Sequence, residues 1–245
     1  MIDLHCHVLP GLDDGPASLE QALAMAAASA AAGTATIVAT PHLDHVWRVR
    51  PELIAQRSGD LTGALRSHGI EVEIVAGAEI AISRLVDLSG QQLDEVRLGS
   101  GPYLLLECPL SPTAGDFDHI LMRIHEREES IVLAHPERSP LFQQEPERLV
   151  RLVREGLLCS ITTGSMRGDF GGLVRRFTLE LLREGLVHNV ASDAHDQLAR
   201  PPGLADAFSS LQSELPGITG QREWLTSLVP AAILAGEPPP PPTES

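Results

Sequence analysis

The sequence predicts an α/β protein in which seven parallel strands and their crossover helices form a distorted, TIM-like (β/α) barrel. Short β-branched or apolar runs alternate with longer amphipathic segments along the chain. This alternation is typical of parallel strands that are joined by helices. Seven such repeats in 245 residues favour a closed or nearly closed barrel over its alternative, an open doubly wound sheet.

The predicted elements follow one another in a regular order. The strands are Ile2–His7, Thr36–Thr40, Val72–Gly77, Tyr103–Cys108, Ile131–His135, Leu158–Thr162 and Val187–Ser192. Amphipathic periodicity predicts helices between them and after the last strand. These helices are Ser18–Ala32, Pro51–His68, Val86–Leu93, Phe117–Glu128, Pro146–Glu155, Leu173–Glu184, Gly203–Gln212 and Arg222–Leu228.

Local signals support the helix ends. Ser18 precedes the first helix and Gln21 stands three residues later, which is the spacing of a capping box. Gly33 follows the same helix, and Gly69, Gly156 and Gly185 follow later ones, as C-terminal caps do. We expect one catalytic domain over residues 1–236. Residues 237–245 include the run Pro238 to Pro242, which predicts an extended, mobile tail.

Composition and charge exclude several classes of protein. The net charge of −15 disfavours a nucleic-acid-binding surface, which needs a basic stripe. No run of about 18 apolar residues is present, so no membrane insertion is expected. The N-terminus has no basic region followed by an apolar segment. We therefore expect a cytoplasmic protein.

The three cysteines do not indicate a thiol-based enzyme. Their odd number and unpaired spacing suggest a reducing compartment without a disulfide framework. A cysteine phosphatase loop needs an arginine six residues after its cysteine. Leu12, Ala114 and Ser165 stand at those positions, so we expect all three cysteines to be packing residues.

Histidines and carboxylates recur where predicted strands end. His5 and His7 are two positions apart in the first strand and therefore project from the same face. In a barrel, all the strand ends open on one face, where active sites lie. Burying such groups together without a cation would be very costly. The predicted metal ligands are His5, His7, Asp14, His42, Glu79, Glu107, His135, Asp193 and His195.

The size of this ligand set predicts a polynuclear site. Five imidazoles and four carboxylates are too many for one tetrahedral zinc ion, which takes four ligands. They fit two or three adjacent divalent ions. Nitrogen and oxygen donors without thiolate suit manganese, iron or zinc. Three divalent ions would outweigh the four carboxylate charges, so an acidic protein could still bind a dianion there.

Several of these residues lie in motifs that carry a family resemblance. The motifs are His5 to Pro16, Thr40-Pro41-His42, Gly77-Ala78-Glu79-Ile80, Ala134-His135-Pro136-Glu137-Arg138 and Ser192-Asp193-Ala194-His195. The chain resembles the PHP (polymerase and histidinol phosphatase) superfamily. Within it, the chain is most similar to the bacterial CpsB/CapC/YwqE-type tyrosine-protein phosphatases, over most of its length to the segment Ala232 to Glu237.

The resemblance implies a PHP-type barrel with seven strands and a trinuclear centre that usually depends on manganese. It implies phosphotyrosine on a bacterial tyrosine kinase of capsule or exopolysaccharide assembly as the substrate. All nine ligand positions hold the expected residue types. Two phosphate-binding arginines of similar proteins correspond to Arg138 and Arg200. The loop Leu43 to Trp47 departs from the family pattern.

The predicted activity is that of a metal-dependent phosphomonoesterase. A hydroxide that bridges two ions would attack phosphorus while Arg138 and Arg200 hold the phosphoryl oxygens. Asp193 and His195 are the candidate proton donors. The alternatives are a small metabolite such as histidinol phosphate or a nucleotide phosphodiester as substrate, and a non-catalytic, metal-binding regulatory module. The sequence leaves the oligomeric state open.

Overall fold

The protein is an α/β structure whose strands all pair in parallel. The computed structural model describes residues 1–111, 116–127 and 129–242. Nine strands lie within these ranges: β1 (Ile2–Cys6), β2 (Thr36–Ala39), β3 (His42–Leu43), β4 (Glu73–Ala76), β5 (Glu79–Ala81), β6 (Tyr103–Glu107), β7 (Ser130–Ala134), β8 (Leu158–Thr162) and β9 (Asn189–Ala191). They form a three-stranded ladder, β1-β2-β4, and a six-stranded ladder, β3-β5-β6-β7-β8-β9.

Helices connect the strands. They are α1 (Leu19–Ala31), α2 (Pro51–Ser67), α3 (Ile82–Leu85), α4 (Gly90–Glu95), α5 (Phe117–His125), α6 (Pro140–Gln144), α7 (Pro146–Arg154), α8 (Thr163–Arg167), α9 (Gly172–Arg183), α10 (Ala205–Ser210) and α11 (Val229–Ala235). A 3-10 turn, Pro136–Arg138, directly follows β7, and a π-helical segment, Trp224–Leu228, leads into α11. No helix of the described residues is both long and apolar enough to cross a bilayer.

The two ladders arise because two predicted strands are interrupted. Thr40 and Pro41 separate β2 from β3, and Gly77 and Ala78 separate β4 from β5. Proline has no amide hydrogen for a ladder bond. Gly77 lies so close to its neighbours that an added Cβ would stand 2.8 Å from Val38 Cγ1. Each interruption directly precedes a predicted metal ligand.

Contacts between β1 and the end of β9 bring the two ladders together. The Asp193 amide donates to the His5 carbonyl at 2.8 Å, and the His7 amide donates to the Ala194 carbonyl at 2.9 Å. Cys6 and Ala194 form an isolated parallel bridge. The α/β class with parallel strands is therefore confirmed. The described residues do not form one closed sheet, so the closed seven-stranded barrel stays a prediction.

The strands are buried as those of a parallel sheet covered by helices should be. Leu104, Leu105 and Leu106 of β6 have no exposed surface, although consecutive side chains point to opposite faces. Both faces are therefore covered, which explains why the strands read as continuous apolar runs.

The predicted helix Val86–Leu93 is wrong. Helix α3 ends before it, and α4 begins inside it at Gly90. Ser89 forms a capping box with Gln92, in which each side chain bonds the backbone of the other residue. This cap starts a new helix at Gly90 and so sets a boundary that apolar periodicity does not reveal.

The proline-rich segment is attached to the body of the protein over residues 237–242. Tyr103 Oη donates to the Glu237 carbonyl at 3.0 Å, and Trp224 Nε1 donates to the Pro240 carbonyl at 2.9 Å. Residues 237–242 form no helix or strand, and the mobility of the tail stays a prediction. Residues 243–245 of the predicted tail and Glu128 of a predicted helix lie outside the described residues, as does Ala114.

Candidate metal centre

The nine predicted ligands lie together at the carboxyl ends of the strands. Their donor atoms fall into three groups, each with all its atoms within 4.8 Å of one another. The groups are His7, Asp14, His42 and His195; then His5, His7 and Asp193; then His42, Glu79 and Glu107. His135 joins the third group through Nε2, which lies 2.7 Å from Glu79 Oε1. Shared members make the three groups one cluster.

Three donor atoms, on His5, His7 and Asp193, have the spacing of ligands around a single ion. His5 Nε2 and His7 Nε2 lie 3.2 Å apart. Each of these nitrogens lies 3.3–3.4 Å from Glu79 Oε2 and from Asp193 Oδ1. Donor atoms about 2.1 Å from one ion, at angles of about 90–110°, are about 3.0–3.4 Å apart. The geometry is therefore that of a metal position.

The other donors extend the cluster away from this position. Asp14 Oδ1 lies 3.5 Å from His42 Nε2 and 3.3 Å from His195 Nε2. His42 Nδ1 lies 3.0 Å from Glu79 Oε2. Since His42 presents one ring nitrogen to Asp14 and the other to Glu79, it stands between two parts of the cluster. Asp14 is about half exposed, whereas His5, His7 and Glu79 are buried.

The backbone is bent where two of the ligands leave their strands. His135 follows β7 with a φ of 37°, and Asp193 follows β9 with a φ of 52°. Non-glycine residues rarely adopt this left-handed conformation, and the cost is of the order of 1–3 kcal/mol each. Such strain is concentrated at functional sites, where the surrounding structure enforces it. Here it turns both side chains into the cluster.

Buried polar atoms in the cluster support a bound cation. Glu79 Oε2, Asp193 Oδ1 and His195 Nε2 are buried and have no hydrogen-bond donor or acceptor with good geometry among the described residues. An unsatisfied buried carboxylate oxygen is costly. The donors are imidazole nitrogens and carboxylate oxygens, which suit divalent transition metals. The residues present therefore fit a metal cluster.

The electrostatics of the cluster favour added positive charge. Burial opposes ionisation of Glu79, but the imidazoles of His5, His135 and His42 lower its pKa well below the usual range. Burial likewise opposes ionisation of Asp193, and His5, His7 and Arg200 lower its pKa well below the usual range. Both carboxylates are thus ionised near neutral pH and available to cations.

Asp13 supports the site and is not among the predicted ligands. Its Oδ2 lies 2.7 Å from His7 Nδ1 and accepts from the His42 amide at 2.9 Å. Burial opposes its ionisation, but the hydrogen bond from His7 lowers its pKa to about 2. A carboxylate on the far ring nitrogen fixes the orientation of a ligating histidine. The only sequence signal for this role was that a second aspartate, Asp13, stands next to the predicted ligand Asp14 in the loop Gly11 to Gly15.

Both predicted phosphate-binding arginines reach the cluster. Arg138 Nη1 donates to Asp193 Oδ2 at 2.6 Å, and Arg200 Nη2 donates to the same oxygen. The Arg138 guanidinium also stacks on the ring of Phe170, 4.4 Å from its centroid. Asp193 therefore has one oxygen toward the imidazoles and the other toward two guanidinium groups. Phe170 was not predicted, because nothing in the sequence places it beside Arg138.

Cys6 takes no part in the cluster. Its side chain is buried and its Sγ lies 3.8 Å from the Ala194 carbonyl oxygen. Burial raises the pKa of the Cys6 thiol well above its usual range. The same effect raises the pKa values of Cys108 and Cys159. The cysteines are therefore packing residues, as the absence of a phosphate loop predicted.

The fold and the cluster define an α/β protein with a candidate metal site made of imidazole and carboxylate donors. The family model described as "Capsular polysaccharide synthesis, CpsB/CapC" matches residues 1–222. The chain belongs to the CpsB/CapC family. This confirms the family predicted from the sequence motifs.

Named relatives of the chain are tyrosine-protein phosphatases. Tyrosine-protein phosphatase YwqE of Bacillus subtilis is 34% identical over 217 residues, which cover 87% of this chain and 85% of YwqE. Putative tyrosine-protein phosphatase CapC of Staphylococcus aureus is 29% identical, over 85% of this chain and 82% of CapC. Tyrosine-protein phosphatase CpsB of Streptococcus pneumoniae is 27% identical, over 85% of this chain and 88% of CpsB.

Solved structures agree with these relatives. One structure matches with a TM-score of 0.83. It comes from a study of YwqE of Bacillus subtilis and CpsB of Streptococcus pneumoniae, which are described there as unique metal-dependent tyrosine phosphatases. The identity is 29%, and the match covers 100% of both chains. A β-aspartyl dipeptidase of Fervidobacterium islandicum matches with a TM-score of 0.58 at 13% identity, over 95% of this chain and 72% of that one. That likeness shows a shared fold only.

Proposed function

We propose that the protein is a metal-dependent protein-tyrosine phosphatase of capsule or exopolysaccharide assembly. The observation that carries the proposal is the set of three donor atoms on His5, His7 and Asp193, 3.2–3.4 Å apart, beside the two arginines on Asp193. The relatives named as tyrosine-protein phosphatases supply the substrate class. A phosphorylated tyrosine on a bacterial kinase of the same assembly system is the proposed substrate.

The nine clustered residues would hold two or three divalent ions. Manganese is the proposed metal, with iron and zinc as the other candidates for nitrogen and oxygen donors. Bound there, the ions would lower the pKa of water and offset negative charge on the phosphoryl group. Asp13 would keep the His7 ring oriented, since it bonds the nitrogen that faces away from the cluster.

Arg138 and Arg200 would bind the phosphoryl oxygens of the substrate. Both guanidinium groups already meet at a single carboxylate oxygen, Asp193 Oδ2, so both reach the same point. Arginine suits this role because its planar fork matches phosphate and keeps its charge. Before substrate binds, Asp193 holds the two arginines in place. The phosphate would then replace part of their contact with Asp193.

His195 and Asp193 are the predicted proton donors to the leaving oxygen, and their low pKa values suit them better as ligands to a cation. Burial lowers the pKa of His195 to about 2, and His7 and Arg200 act in the same direction. His195 is therefore neutral near pH 7, and its lone pair is available to bind a cation. The phenolate leaving group of phosphotyrosine, with a pKa of about 10, needs less protonation than an alkoxide.

We keep the domain bounds and the cellular compartment that the sequence predicts. Residues 1–236 would form one catalytic domain. If β2 with β3 and β4 with β5 each count as one interrupted strand, seven strands result, and the contact between Cys6 and Ala194 would close them into a barrel. The protein would act in the cytoplasm on a kinase tail. The acidic net charge of −15 gives no support to a nucleic-acid substrate.

Chelation followed by metal add-back tests the proposal. Turnover of a phosphotyrosine peptide should disappear on chelation, and a panel of divalent ions should restore it, manganese best. Histidinol phosphate and a dinucleotide complete the substrate panel, and preference for either would replace the phosphotyrosine assignment. His135→Ala should lose turnover, with the exposed His119→Ala as the matched control. Activity that survives thorough metal removal contradicts the proposal.

A further inference from the structure

A cavity of about 280 Å³ opens directly beside the candidate metal centre. It lies between the loop after β1, the first turns of α1 and the loop after β9. Two of the predicted metal ligands, Asp14 and His195, form one end of it. The cavity is therefore continuous with the cluster.

The remaining walls of this cavity include apolar side chains. Pro16 and Met25 are buried residues of the wall, whereas Leu198 stands at the rim with 93% of its surface exposed. Asp196 Oδ1 accepts hydrogen bonds from the Leu198 and Ala199 amides, both at 2.6 Å. The backbone of the rim is thus fixed while the leucine side chain is left open to a ligand.

We propose that this cavity is the subsite for the aromatic ring of the phosphotyrosine side chain. The inference rests on the proposed function and deepens it, because it identifies which residues select an aryl ester over an alkyl one. An apolar cavity of about 150 Å³ accommodates benzene, so the volume is sufficient for a ring and part of its peptide. Pro16 and Leu198 would contact the ring faces, and Met25 would supply a sulfur–aromatic contact.

The phosphate of the same side chain would lie at the arginines. His195 connects the two places, since its amide donates to the Arg200 carbonyl at 3.0 Å and its Nδ1 lies 3.7 Å from Asp193 Oδ1. A ligand with its phosphoryl group beside Asp193 and Arg200 can therefore place the attached ring next to His195, at the polar end of the cavity. The side chain of phosphoserine is too short to reach the apolar walls, which would then be left without a partner.

Two ligands and three variants separate ring binding from phosphate binding. Calorimetry on the metal-loaded protein would measure the Kd of inorganic phosphate and of a peptide with phosphonomethyl-phenylalanine, a phosphotyrosine analogue that is not hydrolysed. Leu198→Ser removes an apolar rim contact, and Gln197→Trp places bulk in the cavity opening. Leu173→Ser removes another exposed leucine, outside this cavity, and is the control.

The expected result is a rise of about three- to tenfold in the Kd of the peptide for Leu198→Ser and Gln197→Trp, with the Kd of phosphate unchanged. Leu173→Ser should change neither value. Unchanged peptide affinity in both cavity variants overturns the inference, as does an equal loss for both ligands. If the wild-type protein fails to hydrolyse phosphotyrosine peptide with metal present, the proposed function itself is wrong.

Discussion

At the level of single residues, Asp13 determines how His7 presents its ring. Its carboxylate bonds His7 Nδ1 at 2.7 Å and the His42 amide at 2.9 Å, so one side chain fixes two ligands. Because the His7 ring then has Nδ1 engaged, Nε2 is the nitrogen that faces His5 and the rest of the cluster.

We therefore expect Asp13→Asn to weaken metal binding. An amide holds the imidazole less firmly and makes it a poorer ligand, and loss of such a partner lowers metal affinity about 10- to 100-fold. Calorimetric titration of the metal-free protein with manganese measures the change in Kd. Asp60→Asn, on the exposed face of α2, is the matched control. Equal affinity of the Asp13→Asn variant and the wild-type protein would contradict this role.

Phe170 contacts the same guanidinium group of Arg138 that donates to Asp193. The guanidinium carbon lies 4.4 Å from the ring centroid. The ring itself is confined, because a Cβ on Gly164 would lie 2.8 Å from Phe170 Cε2. Arg138 is thus fixed between an aromatic face and a carboxylate.

Phe170→Leu should raise the inhibition constant of inorganic phosphate and the KM of a phosphotyrosine peptide by about three- to tenfold. The reason is that a cation–π contact of this kind contributes about 1 kcal/mol and orients the guanidinium. Steady-state kinetics with phosphate as inhibitor measure both values. Phe170→Tyr keeps the aromatic face and should retain near-normal constants. A similar defect in both variants would show that packing, and not the ring face, matters.

The clustering of the predicted ligands could be foreseen from the sequence, but the residues that contact and orient them could not. Each predicted ligand lies near the end of a predicted strand or in the loop after it, so topology places it at the common end of the sheet. Asp13 stands one residue from Asp14, and only three-dimensional geometry shows which of the two bonds His7. Phe170 reaches Arg138 from the loop between α8 and α9, a contact that no local pattern signals.

At the level of elements, the interruptions of two strands shape the site. The β2–β3 break at Thr40 and Pro41 and the β4–β5 break at Gly77 and Ala78 come immediately before His42 and Glu79. After each break, the chain forms a short strand, β3 or β5, that pairs in the six-stranded ladder. Periodicity predicts one strand in each place, since the apolar residues continue up to the break.

Gly77→Ala should destabilise the protein and displace Glu79. The new Cβ would lie 2.8 Å from Val38 Cγ1 and 3.1 Å from Leu98 Cδ2, and overpacking of this kind costs about 1–3 kcal/mol. Chemical denaturation measures the free energy of unfolding, and manganese titration reports on Glu79. Gly59→Ala in α2 meets no atom within 4 Å and should instead stabilise the helix by about 0.5–1 kcal/mol. Equal effects of the two substitutions would contradict this account.

At the level of the whole molecule, the cluster couples metal binding to folding. Ligands come from β1, β3, β5, β6 and the residues that follow β1, β7 and β9, so the metal position exists only when these elements are together. A ligand that binds the folded state alone stabilises it by mass action. Without cations, buried carboxylates such as Glu79 and Asp193 lack that compensation.

Removal of metal should lower the melting temperature. An ion at 100 times its Kd contributes about 2.7 kcal/mol, which corresponds to about 5–10 °C for a chain of this size. Thermal unfolding followed by circular dichroism, with chelator and then with excess manganese, checks this. The shift should be smaller in Asp13→Asn at equal metal concentration. An unchanged melting temperature would mean that the cluster does not bind metal in the folded protein.

The link between β1 and the residue that follows β9 also sets an order of events during synthesis. Asp3 Oδ1 accepts from the Ser192 amide at 2.9 Å, across a separation of 189 residues. Contacts so distant in sequence carry a large loop-closure entropy and form late. While the ribosome is still adding residues before Ser192, His5 and His7 have already emerged without Asp193 and His195. A newly made chain can therefore bring its complete set of predicted ligands together only after His195 has been translated.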